Sequence, residues 1–251
     1  MSAKPTNRLE ESLVKAALDP AHRPQFYRDL LASDIYVIQE GPPPDRPGHR
    51  VLPAGELLKI RTLSFNGKQY VPIFSSRAAL QAALSEEAAY LALNAAEFFR
   101  ITAGADVVLN PGWDHGKEFS KEEIAGLLDG SIWQPRERFE VKRDTTVQIG
   151  QPARHPKELV ETLSRLFTAI PEVRRAYVAL LYNPERDERP HTLVAIEASG
   201  NWESVIARAG MVASAVEVPD PPVDFIPLTG GSGIEEYFGN ECQPFYQRLL
   251  G

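Results

Sequence analysis

Residues 156–170, PKELVETLSRLFTAI, set Leu159, Val160, Leu163, Leu166, Phe167 and Ile170 along one side of a helix. A stripe that apolar has to be buried, and the segments around it are strand-like. TTVQIG (145–150) precedes it, while VRRAYVALLYN (173–183) and HTLVAIEA (191–198) follow, joined by the polar turn PERDERP. A second helix, NWESVIARAGMVASAV (201–216), opens on Asn201 as its cap, and VDFIPLT (223–229) reads as a last strand. The order is β-α-β-β-α-β. With right-handed crossovers its simplest packing is a four-stranded antiparallel sheet with both helices on one face, a ferredoxin-like sandwich. Its expected core is Leu163, Phe167, Val178, Leu180, Val194, Ile196, Val205, Val212 and Phe225.

The first half is a mixed α/β pattern with a small sheet and several helices. Asn7 and Glu10 form a capping-box-like pair for a first helix, which Asp19-Pro20 ends. Pro24 suits the first turn of a second helix carrying Phe26, Tyr27, Leu30 and Leu31. IYVIQ (35–39) is a strand, and the prolines of GPPPDRPGHR (41–50) make an exposed crossover loop. Residues 57–74 form a hairpin around Asn66-Gly67, a pair in which both residues tolerate positive φ. SSRAALQAALSEE begins a helix capped by Ser75 or Ser76, and YLALNAAEFFRIT continues as another, ending at Ala103-Gly104. DVVLN (106–110) is a strand, and Ser120 with Glu123 caps a helix through Ile124, Leu127 and Leu128. Residues 1–132 thus form one domain and 145–251 another, with WQPRERFEVKRD (133–144) as linker. The fold class is α+β, in two domains.

Several function classes conflict with the composition. A net charge of −7 over 251 residues argues against a nucleic-acid backbone partner, and acidic residues break up the basic run 136–143. One cysteine, Cys242, leaves no intramolecular disulfide and no cysteine metal cluster, and the five histidines lack metal-ligand spacing. No apolar run reaches the ~20 residues a bilayer span needs, and the N-terminus lacks a signal-peptide pattern. The expected compartment is the cytoplasm, without cofactor, metal or membrane.

Several stretches resemble the enhanced serine sensitivity protein B (SseB) family. YVPIFSS (70–76) and VVLNPG…GKEFSKEEIAGLL (107–128) resemble its N-terminal domain. IGQPARHPKELVETLSRLF, VRRAYVALLY and QPFYQRLL (243–250) resemble its C-terminal domain. The resemblance covers most of the chain. It implies a bacterial cytoplasmic protein linked by name to serine tolerance, and it brings no catalytic residue to carry over.

Two stretches are candidate sites. In LNPGWDHGKEFSKEEI (109–124), a strand end leads through a glycine-flanked loop toward a helix N-terminus, whose free amides attract anions. Asn110, Trp113, Asp114, His115 and Lys117 are its candidate ligand or partner residues. A tight Asn110-Pro111-Gly112 turn with Trp113 packed over it is the plainer reading. After Gly150, Arg154 could hold an amino-acid carboxylate and Glu158 its ammonium; alternatively Pro152 and Pro156 merely shape the turn. No G-x-S-x-G occurs, and TGGSGIEEYF (229–238) lacks the lysine of a phosphate loop, leaving an exit loop. Tyr237, Phe238, Phe245 and Tyr246 form a C-terminal aromatic plug.

The expected function is a non-enzymatic binding or regulatory protein, acting through a protein partner or a small ligand such as an amino acid. A homodimer is compatible with it. The rivals are an enzyme centred on Trp113, Asp114 and His115, and a secretion-linked or neutralising interaction protein.

Overall fold

A computed structural model describes residues 4–41, 58–133, 147–229 and 233–248. The loop expected at 41–50 lies outside them beyond Gly41, as does the linker expected at 133–144 beyond Trp133. Contacts divide the chain into two compact units. One is Met1–Leu18 with Gln25–Ser131, and the other is Asp19–Pro24 with Ile132–Gly251.

The first unit contains α1 (Arg8–Leu18), most of α2 (Arg23–Ala32), β1 (Asp34–Ile38), β2 (Leu63–Phe65), β3 (Lys68–Phe74), α3 (Arg77–Ala83), β4 (Tyr90–Asn94), α4 (Ala95–Ile101), β5 (Val107–Leu109), β6 (Lys117–Phe119) and α5 (Lys121–Asp129). The sheet runs β4-β1-β3-β5-β6, with β2 paired to β3 and the β3–β5 contact parallel. Asn7 caps α1 through Oδ1, which accepts from the Glu10 amide at 2.9 Å. The β2–β3 hairpin turns at Asn66 and Gly67 with φ of 49° and 75°, as the sequence requires. Phe119 is fully buried, its ring centroid 6.4 Å from Phe26 and 6.1 Å from Phe99.

The expected helix over YLALNAAEFFRIT is corrected by the structure. Its first five residues are strand β4, paired with β1 from Asp34↔Asn94 to Ile38↔Tyr90. Leu and Ala are strong helix formers, but intrinsic propensity amounts to only tenths of a kcal/mol per residue, and a five-residue ladder outweighs it. Asn94 marks the change, because its side chain accepts from the amides of Ala96 and Glu97 and so starts α4 one residue later.

The second unit contains β7 (Gln148–Gly150), α6 (Lys157–Thr168), β8 (Val173–Tyr182), β9 (His191–Ala198), α7 (Trp202–Ala213), β10 (Val223–Pro227), α8 (Gly233–Asn240) and β11 (Tyr246–Gln247). The α+β class and two-domain organisation hold, and the element order through β10 is β-α-β-β-α-β. The strand order, however, is not ferredoxin-like. A ferredoxin-like sheet sets its first strand between the third and fourth, whereas here β10-β9-β8 are neighbours, β9 and β10 run parallel, and β7 pairs β8. At three residues β7 is too short for a central place among strands of eight and ten. It covers only Leu180–Tyr182 at one end of β8, and β11 covers Arg175–Ala176 at the other.

Leu159, Leu163, Leu166 and Phe167 of α6 pack with Val178, Val194, Ile196, Val205 and Val212 in one core, and Phe225 lies against it. Leu180, expected there, is only half-buried near the end of β8. The four aromatics expected as one C-terminal plug divide between two clusters, Tyr237 and Phe238 in one and Phe245 and Tyr246 against the other. Phe238 is buried against Tyr177, and Phe167 stacks on Phe245 and meets Tyr246 edge-on. Arg248 holds this tail by donating to the carbonyls of Phe167, Thr168, Ile170 and Val173 around the end of α6. The stretch read as an exit loop is helical from Gly233 onward.

Candidate functional site

The Asn110–Gly116 loop starts where β5 ends and is built around one buried side chain. Asn110 has φ of 50°, a conformation asparagine tolerates better than most residues. It is completely buried: its Oδ1 accepts from the Ser75 amide at 2.9 Å and its Nδ2 donates to Ser75 Oγ at 2.8 Å. Ser75 Oγ in turn donates to Glu10 Oε1 at 2.8 Å, and Glu10 Oε2 accepts from both the amide and the hydroxyl of Thr6. Asn7 closes the network onto the Ser75 carbonyl. Burial alone would raise the Glu10 carboxyl. The bonds from Thr6, Ser76 and Ser75 outweigh it and hold the group below its ordinary range.

From that anchor the loop turns twice. The Trp113 amide donates to the Asn110 carbonyl, and the Gly116 amide donates to the Trp113 carbonyl, both at 3.1 Å. Gly112 takes φ of 84°. At Gly116 a Cβ would stand 2.7 Å from the Asn110 carbonyl oxygen, so only glycine fits without a shift.

The loop does not lead directly into a helix, which corrects the expected anion cradle. Strand β6 intervenes and pairs back on β5, so the loop is a hairpin tip. Three residues at ~3.4 Å each put the start of α5 about 10 Å away. The amides there already have partners: that of Glu123 donates to Ser120 Oγ and that of Lys121 to Asp106 Oδ1.

Lys117 is likewise engaged. Its Nζ lies 3.0 Å from Glu123 Oε1 and 4.7 Å from the centre of the Phe119 ring. Tyr27 donates to the same Glu123 carboxylate at 2.6 Å. Lys117 therefore ties β6 to α5 and α2. Of the expected set, the surface receives Asp114, exposed, and Trp113 and His115, half-buried.

Trp113 has companions that sequence reading missed. It packs, with Tyr36 and Tyr90, against a cluster of Ile38, Phe74, Ala79 and Leu80. The two tyrosine rings lie 5.9 Å apart, and the Arg77 guanidinium sits 5.8 Å from the Tyr90 ring centre. All three rings are half-buried, because the seven residues of α3 cover only part of this face of the sheet. Neither tyrosine hydroxyl nor the indole N–H has a hydrogen-bond partner among the described residues. Alternation in β1 was the available signal, since Tyr36 shares a face with Ile38.

In the second unit, Arg154 is exposed. It donates to the Pro219 carbonyl at 3.3 Å and lies 3.9 Å from Asp220, while Glu158 is exposed on α6. A different polar group is more tightly built. Nε2 of buried His191 is 2.9 Å from Asp224, and its Nδ1 is 3.6 Å from Asp187, which also accepts from Arg186 and the Asn183 amide. Burial would raise the Asp187 carboxyl, but those donors hold it below its ordinary range. With its side chain 4% exposed, His191 fastens the β8–β9 turn to β10 and offers no ring edge to a substrate. No helix among the described residues is long and apolar enough to cross a membrane.

Comparison with known proteins adds ancestry to this geometry. The SseB protein N-terminal domain model matches residues 9–126, and the SseB protein C-terminal domain model matches residues 141–248. Protein SseB of Escherichia coli (strain K12) is 32% identical over 247 residues, spanning 98% of this chain and 93% of that relative. Protein SseB of Shigella flexneri matches with the same identity and coverage. No solved structure matches. With both domain models matched in order, and a relative aligned along nearly the whole length, the chain belongs to the SseB family.

Proposed function

We propose that this chain is a non-enzymatic binding or regulatory protein of the cytoplasm. It acts through a protein partner that docks on Tyr36, Tyr90 and Trp113. The observation that carries this reading is three amphipathic rings in one cluster, each half-buried, and none with a hydrogen bond at its polar tip among the described residues. Tyrosine and tryptophan in such settings supply large contact area and one directional hydrogen bond, and they dominate binding energy at protein interfaces. Arg77 over Tyr90 adds a cation of the kind enriched there. The hairpin carrying Trp113 is anchored by the buried Asn110, so the surface is preorganised and little ordering entropy opposes docking. The link to serine tolerance comes from the family resemblance, as a role in which such a partner would act.

The test is retention of protein partners by immobilised chain, comparing wild type with Trp113→Ala, Tyr36→Ala and a control, Lys157→Ala, at an exposed position of α6. One stoichiometric protein should be held by wild type and control and weakened at least about tenfold by either aromatic change, the scale of a hot spot above 1.4 kcal/mol. Equal retention by all four chains defeats the proposal. So does turnover of an ester, phosphate or amino-acid substrate that a single loop substitution abolishes.

A further inference from the structure

Strand β4 forms one end of the first sheet, and nothing among the described residues pairs with its outer side. The hydrogen-bond pattern identifies the free backbone groups. In an antiparallel ladder, pairs that exchange both bonds alternate with pairs that exchange none. The Gln39 amide donates to the Ala89 carbonyl and the Ala95 amide to the Ser33 carbonyl, at 2.9 Å each. Counting in twos between these bonds, Leu91 and Leu93 bond to β1. The amides and carbonyls of Tyr90 and Ala92, and the amide of Asn94, therefore point outward.

From this edge we infer that a second copy of the chain pairs antiparallel with β4, about a two-fold axis at Ala92. The sequence Tyr90-Leu91-Ala92-Leu93-Asn94 is nearly symmetric about that residue. The axis sets Ala92 opposite Ala92 of the partner subunit, and Leu91 opposite Leu93 of the partner subunit. Each Ala92 amide then donates to the carbonyl of Ala92 of the partner subunit, and each Asn94 amide donates to the carbonyl of Tyr90 of the partner subunit. A two-fold interface must be self-complementary in this way. The strand has no charge, proline or bulge, the devices that keep other sheet edges apart. Ala92 is exposed and small, so the backbones can approach. Five residues give only ~17 Å of ladder, too short a seam to bury the ~1,000 Å² of a durable interface. The dimer is therefore reversible and dissociates on dilution.

Sedimentation equilibrium of the full chain over a wide concentration range tests the pairing. The mass should rise from monomer toward twice that value. Ala92→Pro removes only an outward amide and Ala92→Lys sets like charges face to face, so each should weaken dimerisation at least about tenfold. Circular dichroism and thermal unfolding check that both variants stay folded, and either one suffices for the comparison. Ala92→Cys should cross-link to its own counterpart on oxidation, because the ~5.5 Å between facing Cα atoms of a bonded pair suits a disulfide. Buried Cys242 gives no background. Three results would each overturn the proposal: a wild type that stays monomeric up to ~1 mM, a dimer unaffected by the proline and lysine changes, or Ala92→Cys linking no faster than Gln81→Cys on exposed α3. Ala92 faces Tyr36 across the β1–β4 ladder, at the margin of the aromatic cluster, so its variants are read for self-association alone, while Trp113→Ala, remote from β4 in sequence, tests partner retention.

Discussion

The two units divide the holding of their strand ends differently between apolar and polar groups. In the second, Phe167 is buried against Phe245 and Tyr246 and Arg248 ties the tail to backbone carbonyls at the end of α6, with His191 fastening the β8–β9 turn to β10. In the first, the turn after β3 and the end of β5 are joined by buried side-chain polar groups, Glu10, Ser75 and Asn110. Apolar packing tolerates some substitution at each position. A closed polar network does not, because each lost member leaves another buried group unpaired. The first unit should therefore be sensitive at its polar residues and the second at its large apolar ones.

The largest expected effect is at Phe167, fully buried between α6 and the sheet. Phe167→Ala should cost about 3–5 kcal/mol in denaturant unfolding of the second unit, from lost burial plus an unfilled cavity. A change below ~1 kcal/mol would mean that the contrast between the units is wrong. Next comes Asn110→Ala, which removes two buried hydrogen bonds and places alanine at φ of 50°. Together these should destabilise the first unit by about 2–4 kcal/mol. Asn110→Gly relieves the backbone cost alone, so the gap between the two variants measures it.

How far each unit was readable follows from the same difference. The second core is written in local periodicity, and Leu163, Phe167, Val194, Ile196, Val205 and Val212 all arrive where helical or alternating spacing puts them. Its strand order was not readable, because β-α-β-β-α-β leaves open which strands are neighbours. The length of β7 decided that. In the first unit, local signals gave the caps and the Asn66-Gly67 turn, while β4 was lost inside an Ala- and Leu-rich run. The candidate loop was legible as a turn, and its Pro-Gly and Trp-Asp-His residues sit together. Strand β6 was missed, and so was the cluster of Trp113 with Tyr36 and Tyr90, residues joined only by sheet pairing. Contacts spanning tens of residues leave no spacing to read.

Gly116→Ala sharpens the comparison at the loop itself. The added Cβ would meet the Asn110 carbonyl at 2.7 Å, and a backbone oxygen cannot swing aside as a side-chain tip can. A cost of about 1–3 kcal/mol is expected, as for other overpacked sites. Glu10→Gln asks whether the network needs a charge. The folded carboxyl holds its proton less tightly than in the unfolded chain, so its contribution is complete above the ordinary glutamate value of ~4.3. That contribution is lost as pH falls through the lower folded value. Wild type should exceed the variant by about 1–2 kcal/mol at neutral pH, with the two converging in acid. A gap that persists unchanged in acid would show that shape, and not charge, sets the cost.

The smallest effect is expected at His115, and its smallness is informative. The side chain is half-buried on the hairpin tip, outside both the Asn110 network and the cluster beneath Trp113. Surface changes away from core, caps and buried networks stay within about 0.5 kcal/mol. His115→Ala should therefore leave unfolding of the first unit unchanged within that limit. Partner retention gives a separate readout on the same variant. If binding falls while stability holds, His115 belongs to the docking surface beside Trp113. A loss of more than ~1.5 kcal/mol would instead make the imidazole part of the fold, and the polar network would then extend from buried Asn110 out to the tip of the hairpin.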